Sequence, residues 1–280
     1  MRQLRVGEVD LCVDEYGDPG HPLVVLVAGA ASSMDWWDVG LCEALAAGGR
    51  RVVRYDHRDT GRSTTGTPGS PDYDGTALEH DCAGLVESLD AGPAHLVGLS
   101  MGGGISQAVA LHRPDLVAAL TLVATSAVGG VDADLPGPTP EVQAHFADPP
   151  PDPDWSEPDR VVEWLVTGER VFAGPLFDEA RARTIARAVV TRSADPAAAG
   201  NHWLVAGDDD EVLDVRRISA PTLVVHGDSD PLFPLPHGRA LADAVPDGRL
   251  LVVPGMGHEV PPGSAWRDVV AGVLALPHRA

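Results

Sequence analysis

Lysine is absent from this 280-residue chain: all 20 basic residues are arginine, set against 41 Asp and Glu, and the formal net charge is −21. So acidic a surface repels phosphate backbones and anionic lipid headgroups, which argues against nucleic acid and membrane surfaces as partners. Its ordinary use is solubility. Cysteine is scarce too. Cys12, Cys42 and Cys82 form neither a C-x-x-C pair nor a Cys/His metal pattern, and a sparse, odd count fits unpaired thiols in a reducing compartment. Cys12, between Leu11 and Val13 in an alternating run, reads as a buried structural thiol. No long apolar run is present; the longest, Leu23 to Ala31, is too short to span a bilayer. Met1 to Asp14 carries charges throughout and has no apolar h-region, so no secretory signal is expected. A cytoplasmic monomer or homodimer is the expectation. Neither H-E-x-x-H nor a G-x-G-x-x-G after the first parallel strand occurs, so no metal and no cofactor is expected.

What is present is an alternation of strand and helix signals. Leu4 to Val6 and Val9 to Tyr16 alternate like strands, and Leu23 to Val27 is a continuous apolar run, the mark of a strand buried on both faces. A helix is expected from Asp35 to Ala47, a strand from Arg51 to Tyr55 and a helix from Thr76 to Leu89. His95 to Leu99 reads as strand, Met101 to His112 as helix and Leu116 to Ala124 as strand. This order predicts an α/β fold with a mostly parallel central sheet flanked by helices. Residues 134–159 are crowded with Pro and Asp, and no regular element is expected to run through them. Helical patterning returns at Arg160 to Thr167 and Glu179 to Thr191, and the alternation resumes at Thr222 to His226. The chain therefore divides into a core domain, 1–128 and 216–280, and an inserted helical lid, 129–215.

Gly98-Leu99-Ser100-Met101-Gly102 is a G-x-S-x-G stretch placed where a strand turns directly into a helix. Small neighbours let the chain pass through a tight turn that leaves the serine hydroxyl exposed, and the following helix aims its positive end at a developing oxyanion. A serine hydroxyl is a poor nucleophile without a base. His258, in the Gly-rich loop Pro254-Gly255-Met256-Gly257-His258, has the setting of that base. The imidazole needs a carboxylate to fix its tautomer. Asp230, in Gly227-Asp228-Ser229-Asp230, is the candidate, with Pro231 helping to set its turn and Asp228 as the alternative. The chain order Ser, Asp, His suits this architecture, and all three follow predicted strands at their carboxyl ends. The backbone N–H groups of Ala30 and Met101 are the expected oxyanion donors. His57 reads as a loop-organising residue and His226 as a buried, hydrogen-bonded one, while His202 beside Trp203 is a weaker pocket candidate.

From about Val9 to Leu276 the chain resembles the α/β-hydrolase superfamily, and within it the aclacinomycin methylesterase group. The resemblance rests on Tyr55-Asp56-His57-Arg58-Asp59-Thr60-Gly61-Arg62-Ser63-Thr64-Thr65, Val97-Gly98-Leu99-Ser100-Met101-Gly102 and Pro254-Gly255-Met256-Gly257-His258. It implies an α/β-hydrolase fold, no cofactor, and hydrolysis of a carboxylic methyl ester on a polycyclic aromatic compound. Carried over residue by residue, it implies Ser100 as nucleophile, His258 as base, Asp230 as orienter, and Ala30 and Met101 as oxyanion donors. Many relatives have His-Gly where this chain has Ala28-Gly29, and the lid sequence has no counterpart that identifies its substrate.

The expected partner is a small to medium, largely apolar ester, in a pocket lined by Ala31, Trp37, Phe172, Trp203, Phe233 and Met256. The same triad supports carbon–carbon bond hydrolysis, lactone hydrolysis and cofactor-free perhydrolysis. A non-catalytic small-molecule binding protein on the same fold is the alternative of another class.

Overall fold

Side-chain alternation along the strands sets the architecture, because helices cover both faces of the central sheet. A computed structural model describes residues 1–205 and 213–277. The strands are β1 (Arg2–Val6), β2 (Val9–Tyr16), β3 (Leu23–Val27), β4 (Arg51–Tyr55), β5 (Ala94–Leu99), β6 (Val117–Val123), β7 (Thr222–Gly227) and β8 (Gly248–Val253). They form one sheet in the order β1-β2-β4-β3-β5-β6-β7-β8, with β1, β2 and β4 paired antiparallel and the remaining pairs parallel. Every residue of β3, β5, β6 and β7 is buried, as the continuous apolar runs require.

In β3, Leu23, Val25 and Val27 pack on one face and Val24 and Leu26 on the other. The first face is covered by α2 (Thr76–Ser88), α3 (Met101–His112) and α7 (Pro236–Ala244), through Leu78, Leu85, Ile105, Val109 and Leu241. The second is covered by α1 (Val39–Ala47) and α8 (Trp266–Ala275), through Leu41, Leu45, Val269 and Val273. This is the expected α/β-hydrolase architecture. All three cysteines are buried and unpaired. Among the described residues no helix is long and apolar enough to cross a membrane.

Between β6 and β7 lie α4 (Pro140–Ala147), α5 (Pro158–Phe172), α6 (Glu179–Arg192) and a 3-10 helix, Pro196–Trp203. Helices α5 and α6 share a small core of Val162, Val166, Ala182 and Ala186, while Ile185 and Val189 of α6 join the second sheet face. Residues 206–212 of the expected lid lie outside the described residues.

Two expectations are corrected, and one further element was not anticipated. Helix α4 runs inside the stretch 134–159: Pro140 occupies the first turn, where its missing N–H costs nothing, and the Thr139 side chain accepts the Val142 N–H at 3.5 Å. The helix expected from Asp35 begins only at Val39, after a short 3-10 turn at Met34–Trp36. The 3-10 helix Pro196–Trp203 had no periodic signal, and its start is capped by the Asp195 side chain accepting from Ala197 N–H.

Candidate active site

Ser100 sits at the end of β5 with φ 52° and ψ −117°, a left-handed conformation that an L-residue adopts at a cost. Its glycine neighbours make the turn possible. A Cβ at Gly98 would lie 2.2 Å from the Gly102 carbonyl oxygen, and one at Gly102 would lie 2.3 Å from that of Val27. The Ser100 amide donates to the Val123 carbonyl at 3.0 Å, and the Thr125 hydroxyl to the Ser100 carbonyl at 2.9 Å, so the strained residue is held from β6.

The structure brings the three expected side chains together. The Ser100 hydroxyl stands 2.8 Å from His258 Nε2, and His258 Nδ1 stands 3.0 Å from Asp230 Oδ2. Asp230 is 4% exposed, yet its other oxygen accepts the Leu232 and Phe233 N–H groups at 2.9 Å each. These donors keep the carboxylate solvated by backbone and aim Oδ2 at the imidazole. With Nδ1–H donated to the carboxylate, Nε2 is free to accept the serine proton. Asp228 is turned elsewhere: its Oδ1 accepts the Gly255 N–H at 2.7 Å and braces the loop leading to His258.

The loop after β3 passes directly beside the serine, since a Cβ at Gly29 would lie 3.6 Å from Ser100 Cβ. Neither the Ala30 nor the Met101 amide donates to another described residue. His57 is fully buried and donates from Nε2 to the Ala28 carbonyl at 3.1 Å. Burial, and secondarily the nearby His202, lowers its pKa to about 3, so it is a neutral scaffold residue. His226 is also buried; it donates to the Phe233 carbonyl at 2.7 Å, and burial lowers its pKa.

The expected pocket residues divide into two sets. Phe233 and Phe172 flank the His258 ring, with centroids 5.4 and 6.4 Å from it. Phe146 lies 5.8 Å from Phe172 and 6.3 Å from Trp203, so an aromatic file leads from His258 to the surface, where Trp203 is 61% exposed. Ala31 is half-buried in the loop beside Ser100. Trp37 and Met256, by contrast, belong to the core of the second sheet face and present no surface to a ligand. Apolar bulk marked them for a pocket, and burial against the sheet absorbed it. Phe146 went unnoticed because α4 was not expected. His202 is buried against the loop after β3, a contact that links residues 171 positions apart. Among the described residues no group of His, Cys, Asp or Glu could hold a metal ion.

A sequence profile for the alpha/beta hydrolase fold matches residues 22–262. The rhodomycin D methylesterase DauP of Streptomyces sp. strain C5 is 32% identical over 278 residues, covering 93% of this chain and 92% of that protein. DnrP of Streptomyces peucetius, also a rhodomycin D methylesterase, is 31% identical with the same coverage. Among solved structures, a hydrolase from Pseudomonas aeruginosa PA01 superposes with a TM-score of 0.70 at 26% identity, covering 98% of each chain.

Proposed function

The chain belongs to the α/β-hydrolase family and is a hydrolase, and on that premise we propose that it cleaves carboxylic esters through an acyl-enzyme formed on Ser100. The observation that carries this reading is the file Ser100 Oγ, His258 Nε2, His258 Nδ1 and Asp230 Oδ2, with separations of 2.8 and 3.0 Å at its two hydrogen bonds. Ser100 attacks the ester carbonyl as His258 takes its proton. The tetrahedral oxyanion is held by the Ala30 and Met101 N–H groups, one from the loop after β3 and one from the start of α3. Collapse expels the alcohol with the proton from His258. Water, deprotonated by His258, then attacks the acyl-enzyme, and the acid leaves as Ser100 regains its proton.

A methyl ester on a largely apolar, medium-sized substrate is the favoured substrate class. It is supported by the two methylesterase relatives above 30% identity and by the aromatic file Phe172, Phe146 and Trp203 beside His258. The segment 129–215 then acts as the lid over the site.

The test is turnover of p-nitrophenyl esters from acetate to decanoate by wild type and Ser100→Ala, with fluorophosphonate labelling of both. Activity and labelling confined to the wild type support the reading, and Ser100→Ala should lower turnover on the order of 10⁴-fold or more. Equal activity in the two proteins would overturn it. Labelling of Ser100 without ester turnover would move the reaction to carbon–carbon or lactone hydrolysis, and neither signal would favour a binding protein.

A further inference from the structure

We propose that His202 is a positioning residue of the oxyanion hole: it accepts the Ala31 N–H and thereby holds the loop that presents the Ala30 amide beside Ser100. The proposal rests on the ester-hydrolase reading above, in which the Ala30 N–H stabilises the tetrahedral intermediate.

The loop is not held by its own bonds alone. Ala31 has φ 56°, in the left-handed region that an alanine adopts only at a cost. A non-glycine residue persists there only when surrounding bonds over-determine it. The Ala31 N–H finds that bond 3.0 Å away at His202 Nδ1. The imidazole's other nitrogen, Nε2, lies 2.9 Å from the Arg58 carbonyl oxygen, which can only accept. Nε2 therefore carries the proton and Nδ1 is the acceptor, so one neutral tautomer satisfies both partners. At 5% exposed, the ring is kept neutral by burial, which lowers its pKa.

The neighbouring peptides follow from this bond. The Gly29 carbonyl accepts the Ser32 N–H at 3.3 Å, and the Ala30 carbonyl accepts the Ser32 hydroxyl at 3.2 Å. In a trans peptide the N–H points opposite the carbonyl, so the Ala30 N–H is turned out of the Gly29–Ser32 turn. At the loop's other end His57 holds the Ala28 carbonyl, and the two imidazoles meet edge to face at 5.8 Å. Ala30 thus lies between two residues each pinned by a buried, neutral histidine.

The carrier of His202 is equally fixed. Its neighbour Asn201 is fully buried, donates to Asp59 at 2.9 Å and to the Thr67 carbonyl at 3.1 Å, and accepts the Gly69 N–H at 2.8 Å. A donor aimed in advance costs no reorganisation when charge develops, which is how an oxyanion hole accelerates acyl transfer. His202 reaches the loop from the segment between β6 and β7, so that segment takes part in assembling the hole.

Two substitutions separate positioning from support. His202→Asn places a side-chain oxygen where Nδ1 stands and keeps an acceptor for Ala31, whereas His202→Gln can place its amide nitrogen where Nε2 stands and keeps only the bond to Arg58. Turnover of p-nitrophenyl butyrate is measured per serine titrated with fluorophosphonate, which removes unfolded protein from the comparison. Losing one oxyanion donor outright costs about 10²–10³-fold in kcat; a loosened donor in His202→Gln should cost about 10- to 100-fold with KM within threefold. His202→Asn should stay within fivefold of wild type, and the rate of phosphonylation should follow kcat in both variants. Wild-type kcat per titrated site in His202→Gln, or an equal fall in both variants, would overturn the proposal. Undiminished esterase activity in Ser100→Ala would instead overturn the reading beneath it.

Discussion

Phe172, the last residue of α5, accepts the backbone N–H of His258 at 2.8 Å. The loop bearing the proposed base is thus bonded to the inserted segment as well as to the sheet that delivers it. The contact continues along both chains: the Leu176 N–H donates to the Gly255 carbonyl at 3.2 Å, and a Cβ at Gly257 would lie 2.1 Å from the Gly174 nitrogen. With His202 touching the loop after β3 and the Thr139 N–H donating to the Pro231 carbonyl after β7 at 2.8 Å, the insertion reaches all three loops around Ser100.

The two carboxylates after β7 should separate sharply. Asp230→Asn replaces the acceptor at His258 Nδ1 with a group that can force the wrong imidazole tautomer, and kcat should fall on the order of 10³- to 10⁴-fold. Asp228→Asn keeps an oxygen for the Gly255 N–H and should stay within about tenfold, the scale of one neutral hydrogen bond. Steady-state kinetics on one ester decide it, and the reverse order would reassign the acid.

Arg192 anchors α6 to the core. Its guanidinium, 9% exposed as a residue, pairs with both oxygens of Asp56 and reaches Asp35 at 2.5 Å. Asp56 also accepts the Met34 and Arg62 N–H groups at 2.9 Å, and removing the arginine leaves this buried carboxyl without its cationic partner. Arg192→Met should therefore lower the urea unfolding free energy by about 3–5 kcal/mol. Arg192→Lys should recover only part of it, because an ammonium cannot span two carboxylates in a planar fork. A loss below 1 kcal/mol for the methionine variant would show that the pair is not an anchor.

Acid should destabilise the fold through its buried neutral histidines. The pKa of His57 is lowered to about 3, and burial also lowers those of His202 and His226. Below the ordinary histidine value near 6.5, the unfolded chain binds protons that the native state refuses, so their stabilisation is present above 6.5 and is lost as pH falls below it, for His57 down toward about 3. Each such histidine contributes a slope of up to about 1.4 kcal/mol per pH unit. Urea titrations between pH 6.5 and 4 should show stability falling with pH, and His57→Gln, which retains a donor for Ala28, should flatten the slope by about one proton. An unchanged slope would mean that His57 is protonated in the fold.

The aromatic file should govern affinity for bulky esters. Trp203→Ala and Phe146→Ala each remove a ring contact of the kind worth about 0.5–1.5 kcal/mol. KM for a naphthyl or larger aromatic ester should rise about three- to tenfold, with kcat and the KM for an acetate ester nearly unchanged. An equal effect on both esters would assign these rings to packing rather than recognition.

The sequence alone determined the sheet, its flanking helices and the identity of the residues at its carboxyl edge. Continuous apolar runs such as Leu23 to Val27 can be accommodated only with both faces covered, and the spacing around Ser100 is a local steric requirement that close glycines disclose. Tertiary structure decided which apolar residues face the site: Trp37 and Met256 have the bulk of pocket residues, yet they fill the core, while Phe146 stands in the aromatic file. Only the fold turned Asp230, and not Asp228, toward His258. Only the fold set His202 against Ala31 and Arg192 against Asp56. These pairs lie 136 to 171 positions apart, and hydrogen bonds between such distant residues leave no periodicity or local spacing in the chain. They exist once the sheet and the insertion have brought the groups together and taken them out of water.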